Sequence, residues 1–180
     1  MKIIIPKTLQ NGDQELTFFL LGPIKGGGDW QYQCCLELNK KLQQPFYVAV
    51  PCLWTPEHPL YSYRIRGDEN HFQRQLEWER FHLVGAARFG CIIVWLPCED
   101  KQNPRTDGQP YARDSYGEIG EWRGRLMYDR TTRFVIGAQE GFPGLDVISR
   151  NFKWAISESF KIYSTLEDTV MEAIKKSGAR

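Results

Sequence analysis

No stretch of the 180-residue sequence approaches the roughly 18 consecutive apolar residues that a bilayer-crossing helix requires. The first ten residues, MKIIIPKTLQ, hold an apolar run of only three, too short for a secretory leader. A membrane-spanning or exported protein is therefore not expected. An excess of one charge is missing as well: 23 Lys and Arg stand against 22 Asp and Glu, a formal net charge of +1. Such a chain has no global field with which to hold polymeric nucleic acid or a membrane surface. Histidine is scarce, and none of His58, His71 and His82 has a Ser or Cys beside it to suggest a nucleophilic triad; scattered surface or polar-network roles are expected of all three. The five cysteines, Cys34, Cys35, Cys52, Cys91 and Cys98, include no CxxC pair and no His at zinc-ligand spacing. Their odd number reads as reduced thiols of a cytoplasmic protein.

What is present is enough apolar material, 42% of residues, for one domain with a core, expected to span residues 1–180. LTFFLLG at 16–22 is a continuous apolar run closed by Gly22-Pro23, the pattern of a strand buried on both faces. After Gly26-Gly27-Gly28, Asp29 is positioned to cap a helix in which Tyr32, Leu36, Leu38 and Leu42 recur, ending before Pro45. FYVAVPC at 46–52 reads as a second strand, followed by a proline-rich loop to about residue 69. A helix over 69–87, with Phe72, Leu76, Leu83 and Ala87 on one face, leads to FGCIIVWLP, the most strand-like run in the chain. A polar loop over 98–114 then precedes a helix starting near Ser115. RFVIGA at 133–138 and FKIYS at 160–164 read as the fourth and fifth strands, with helices over 144–156 and 166–176; KIIIP within residues 1–13 adds at most an edge strand.

Strands separated by single helices require right-handed crossovers and a parallel sheet covered on both faces. The expected fold is α/β, a flavodoxin-like three-layer sandwich whose five strands, counted from residue 16, lie in the order 2-1-3-4-5. The ligand site of such a sheet lies beyond the carboxyl ends of its strands, at the switch point between the first and third. Segments 22–30, 52–68 and 97–118 converge there.

Three groups in those segments bear on chemistry. GPIKGGGDW at 22–30 matches neither the GxxxxGK[ST] nor the GxGxxG spacing. Its glycines either let backbone N–H groups approach a sugar or an anion at a helix N-terminus or simply make a flexible turn. Gln75, Trp78, Glu79 and His82 recur at helical spacing, and Glu79 falls near the core face, where a carboxylate needs either a partner or a use; a partly solvated helix with an amphipathic Trp is the plainer alternative. In DSYGEIGEW, residues 114–122, Ser115 and Glu118 have capping-box spacing. Gly117 and Gly120, each costing up to about 1 kcal/mol relative to Ala in a helix, instead suggest room made for a ligand beside a carboxylate. A first-turn carboxylate is also held ionised by the helix dipole, as a nucleophile requires. Asp114 and Glu118 together offer the nucleophile and proton donor needed to split a glycosidic bond with retention, although an Asp beside Ser is often a turn residue.

FLLGPIKGGGDW, then QLEWE and a strand ending in VWLP, then GEIGEW, then IGAQEGFPG, taken in that order over roughly residues 18–145, resemble the nucleoside 2-deoxyribosyltransferase family; YSTLEDTVMEAIKK resembles its closing segment. The resemblance implies a flavodoxin-like fold with Glu118 as the nucleophile attacking C1′ of a 2′-deoxynucleoside, with a second base or water completing the reaction. It implies that the loop holding Gly22, Pro23, Lys25, Gly26, Gly27, Asp29 and Trp30 grips sugar or base, and that Gln75 and Glu79 line the pocket. It implies homo-oligomers and no metal or organic cofactor. Two departures stand out: Arg88 occupies a position where many members carry Asp, and FFLLG has no Tyr. Relatives that hydrolyse nucleoside monophosphates point to Lys25, Arg64 or Arg66 as phosphate ligands or as plain surface charges. Three readings thus remain open: a base-exchanging transferase, an N-glycoside hydrolase, and a nucleotide-binding module without catalysis.

Overall fold

A computed structural model describes residues 1–9, 15–52, 54–65 and 70–179. In chain order the elements are β1 (Lys2–Ile4), β2 (Thr17–Leu21), α1 (Trp30–Lys41), β3 (Tyr47–Ala49), α2 (Gln75–Phe89), β4 (Cys91–Leu96), α3 (Arg113–Tyr128), β5 (Phe134–Ala138), α4 (Leu145–Ala155) and α5 (Leu166–Ser177). The strands form one five-stranded sheet in the order β1-β3-β2-β4-β5 with every pairing parallel. Each residue of β2, β3, β4 and β5 is buried, as a parallel sheet covered on both faces demands.

The pleat divides those strands between two cores. Phe19, Leu21, Ile92, Val94 and Ile136 point toward α2, α3 and α4, meeting Trp78, Leu83, Ile119, Trp122, Ile148 and Phe152. Phe18, Leu20, Ile93, Trp95 and Val135 point to the other face, meeting Trp30, Cys34, Leu38, Val170 and Ala173 of α1 and α5. Those two helices are clasped by Lys41 Nζ on Glu167 at 2.7 Å. The architecture is the expected α/β three-layer sandwich.

The order needs one correction. The four strands counted from residue 16 lie as expected, but FKIYS at 160–164 is not a strand. Tyr163 alone bridges to Gly137, through backbone bonds to Ala138 at 2.8 Å and Ile136 at 3.0 Å. The fifth full strand is the N-terminal β1 on the opposite edge, registered Ile3 to Val48. Ser157, Ser159 and Lys161 break the apolar run around 160–164, whereas Ile3 and Ile4 are completely buried. Among the described residues no helix is long and apolar enough to cross a membrane.

Candidate active site

A cleft of about 1030 Å³ opens beyond the carboxyl ends of β2 and β3, between the loop after β2 and the first turns of α2 and α3. It lies at the switch point between the first and third strands counted from residue 16, where a sheet of this order leaves a crevice. Two glycines shape the loop beside it. A Cβ on Gly22 would strike the carbonyl of Trp95, so the loop crosses the end of β4 closer than a side chain permits, and one on Gly27 would strike the carbonyl of Pro23 within the loop itself.

Glu118 comes from α3, which begins two residues earlier than expected. The chain enters the helix through Ala112, held at φ 57° in the left-handed region, a conformation costing an L-residue about 1–2 kcal/mol. Tyr111 and Tyr116 pin this entry by donating to the carbonyls of Pro97 and Pro143, each at 2.7 Å. Ser115 is consequently buried inside the first turn, the expected capping box does not form, and Glu118 falls in the second turn facing the cleft. Among the described residues its carboxyl has no ion pair or hydrogen bond. Burial, then the neighbouring charges of Glu79, Asp114 and Glu121, push it up to about 7. The expectation that the helix dipole would hold it ionised is overturned: desolvation and three nearby carboxylates outweigh a dipole weakened beyond the first turn.

The stripe on α2 splits in two. Trp78 and His82 turn into the core, at 0% and 2% exposure. The Trp78 indole donates to the Thr8 carbonyl at 3.0 Å, and His82 Nδ1 lies 2.9 Å from the Trp78 carbonyl. The expected amphipathic Trp is thus wholly buried, and of the two roles expected for His82 the polar-network one fits and the surface one does not; burial pushes its imidazole down to about 4. Leu76, assigned to the core face, is 47% exposed. Gln75 and Glu79 line the cleft, joined by a 2.8 Å hydrogen bond from the amide to the carboxylate. Burial raises the Glu79 carboxyl, Gln75 partly offsets this, and the charge of Asp114 adds to it.

Asp114 lies on the cleft rim with its side chain 68% exposed, 3.1 Å from the Arg113 guanidinium and 3.9 Å from that of Arg105. Arg105 in turn grips Asp107 through Nε at 2.6 Å and Nη2 at 3.2 Å, and Lys25 reaches the same carboxylate at 2.8 Å. These bonds hold Asp107 far below the usual carboxylate range. Together with the bond from the Asp100 N–H to the Gly26 carbonyl at 2.8 Å, they tie the glycine loop to the loop after β4.

Of the residues expected at the site, Gly22, Pro23, Lys25, Asp29, Gln75, Glu79, Asp114 and Glu118 do meet in one cleft. Gly26, Gly27 and Trp30 sit behind it; Trp30 is a core residue at 5% exposure whose indole donates to the Pro23 carbonyl at 2.8 Å. Asp29 occupies the cap position of α1 without capping it, its carboxylate lying 3.8 Å from His58 instead. Arg64 stands at the far edge against Tyr61 and β1, and Arg66 lies outside the described residues. Arg88 lines a separate cavity with Trp122 and Asp129. Sequence reasoning missed Gln31, Trp54, Arg105 and Glu121, all of which line the cleft. Only Glu121 carried a signal, its three-residue spacing from Glu118 on one helix. Among the described residues no group of His, Cys, Asp and Glu is arranged to hold a metal ion. Neither a protein-family model nor a curated protein matches this chain.

Proposed function

We propose that this protein cleaves the N-glycosidic bond of a 2′-deoxynucleoside and passes the sugar to a second base, with Glu118 as the nucleophile. The observation that carries the reading is a half-buried carboxyl without a cationic partner among the described residues, poised near neutrality beside a second half-buried carboxyl in a cleft large enough for a nucleoside. A nucleophile gains from such a value, because it remains ionised in part while keeping its basicity.

The proton donor expected from the sequence was Asp114, but Glu79, expected only to line the pocket, is the better candidate. It is half-buried and raised, whereas Asp114 is exposed and engaged by two guanidiniums. Glu118, raised the further of the two, holds the pair's proton in the free protein, so the reactive form is the tautomer in which that proton has passed to Glu79. An Oε of ionised Glu118 forms the bond to C1′ as the C1′–N bond breaks. The bond's electron pair leaves with the base, which takes the proton from Glu79. A nitrogen of the incoming base then attacks C1′, the ester bond to Glu118 breaks, and the proton lost by that base returns to Glu79.

The charge of the cleft favours an uncharged nucleoside over a monophosphate. Lys25, Arg105 and Arg113 on its walls are each paired with a carboxylate, while Asp29, Glu79 and Glu118 add negative charge that no Lys or Arg among the described residues pairs. Mixing the protein with one deoxynucleoside and a different free base, followed by chromatography, tests the reading. A new nucleoside supports transfer, free deoxyribose alone would mean hydrolysis, and no turnover with any pair would defeat the enzyme reading.

A further inference from the structure

The chemistry above leaves one polar side chain in the cleft without a task. Gln31, in the first turn of α1, is 2% exposed and lines the same cleft as Glu118. Its Nε2 is buried and, among the described residues, has no hydrogen-bond partner. Buried amide donors are almost always satisfied, and a helix position of this kind takes an apolar residue without difficulty, so the unused donor is a cost that the fold itself does not require. Gln31 rises from the helix layer on one face of the sheet and Glu118 from the layer on the other. The cleft they share spans the sheet edge between them.

The surroundings of Gln31 suit a flat heterocycle. Asp29, Cys52 and Trp54 also line the cleft, and the Asp29 charge adds to burial in raising the Cys52 thiol. Trp54 lies flat on the His58 ring, centroids 4.2 Å apart and planes 4° from parallel. His58 is itself fixed by the Leu60 N–H, which donates to Nδ1 at 3.2 Å and leaves the proton on Nε2, a buried nitrogen 3.8 Å from Asp29 Oδ1 that has no hydrogen-bond partner among the described residues. A clamped indole for stacking beside an amide with adjacent donor and acceptor is the combination that reads the edge of a nucleobase.

We propose that Gln31 is the base-reading residue of this cleft, donating from Nε2 to a carbonyl oxygen or ring nitrogen of the nucleobase while Glu118 faces the sugar. This rests on the reading of the cleft as a nucleoside site. The test is calorimetric titration of 2′-deoxyinosine, thymidine and 2-deoxyribose into the full chain carrying Glu118→Gln, so that nothing is consumed, with and without Gln31→Leu. The expected result is a tenfold or greater loss of affinity for at least one nucleoside, no change for 2-deoxyribose, and an unliganded Tm equal to or above that of the parent. Should the leucine variant fail to fold, the isosteric Gln31→Glu, which removes the donor, is expected to weaken the same nucleoside tenfold. Nucleoside affinity within twofold of the parent overturns the proposal, even if base exchange occurs in the native protein. Gln31-dependent binding without any bond cleavage in the native protein supports the base site and sinks the transferase. No nucleoside binding at all defeats both.

Discussion

Two groups of carboxylates line or border one cleft and have opposite fates. Asp107 is gripped by Arg105 and Lys25 at 2.6 to 2.8 Å and lies far below the ordinary carboxylate range. Glu118 has no cationic partner among the described residues, faces Glu79, Asp114 and Glu121, and is pushed up to about 7. The residue chemistry is the same, so the difference lies in surroundings: a paired charge at the surface fastens two loops, whereas an unpaired, desolvated one is held ready to exchange a proton.

The sharpest way to break the contrast is to remove the unpaired charge. Glu118→Gln is expected to lower base exchange at least about 10³-fold, measured as kcat for a deoxynucleoside and an acceptor base. It is also expected to stabilise the fold in alkali. A carboxyl near 7 in the native state and about 4.5 in the unfolded chain binds more protons when folded between those values, so its contribution to stability falls as pH rises through that window. The variant should then exceed the parent by about 2 to 3 kcal/mol above pH 7 and match its pH dependence below about 4.5, read from urea titrations. Glu79→Gln is the next largest. Losing the proton donor lowers kcat roughly 10²-fold, and losing a charge that raises Glu118 moves the apparent pKa seen in kcat/KM down from about 7 by roughly half to one unit. An unmoved value would mean that the two carboxyls do not face each other.

His82 supplies a third comparison, a base kept neutral by burial. Its imidazole is held near 4 while the unfolded chain titrates near 6.5, so the unfolded state binds more protons between those values and stability falls as pH drops through that window. His82→Phe is expected to flatten the Tm profile between pH 6.5 and 4 without altering exchange at pH 8.

Most of the fold was legible because apolar runs such as TFFLL and CIIVWL carry strand burial directly, and proline and glycine mark their ends. The fifth strand was misplaced because KIIIP and FKIYS are equally short, and only packing against a neighbour decides which pairs. The three carboxylates Glu79, Asp114 and Glu118 were legible as residues, but their electrostatics were not. Periodicity placed Glu118 at a helix start, whereas the left-handed turn at Ala112, which no local pattern announces, moved it into the second turn. Arg105 and Gln31 were invisible for a related reason: their importance lies in what stands opposite them, eighty residues away in the case of the Lys25 pairing with Asp107.

The smallest effect is expected on the paired side. Asp107→Asn removes the carboxylate shared by Arg105 and Lys25 without touching Glu118 or Glu79. Exposed ion pairs contribute little on their own, so the fold should be unaffected. The two loops lose one of their ties, however, and a freed Lys25 and Arg105 add positive charge to the cleft walls. KM for an uncharged deoxynucleoside should therefore rise about threefold with kcat nearly constant, while any residual turnover of the corresponding 5′-monophosphate should improve by a similar factor, because an anion now finds cations no longer paired with Asp107. A fall in monophosphate turnover would mean that Asp107 positions those cations for a phosphate rather than keeping them from one, and the preference argued for an uncharged substrate would be reversed.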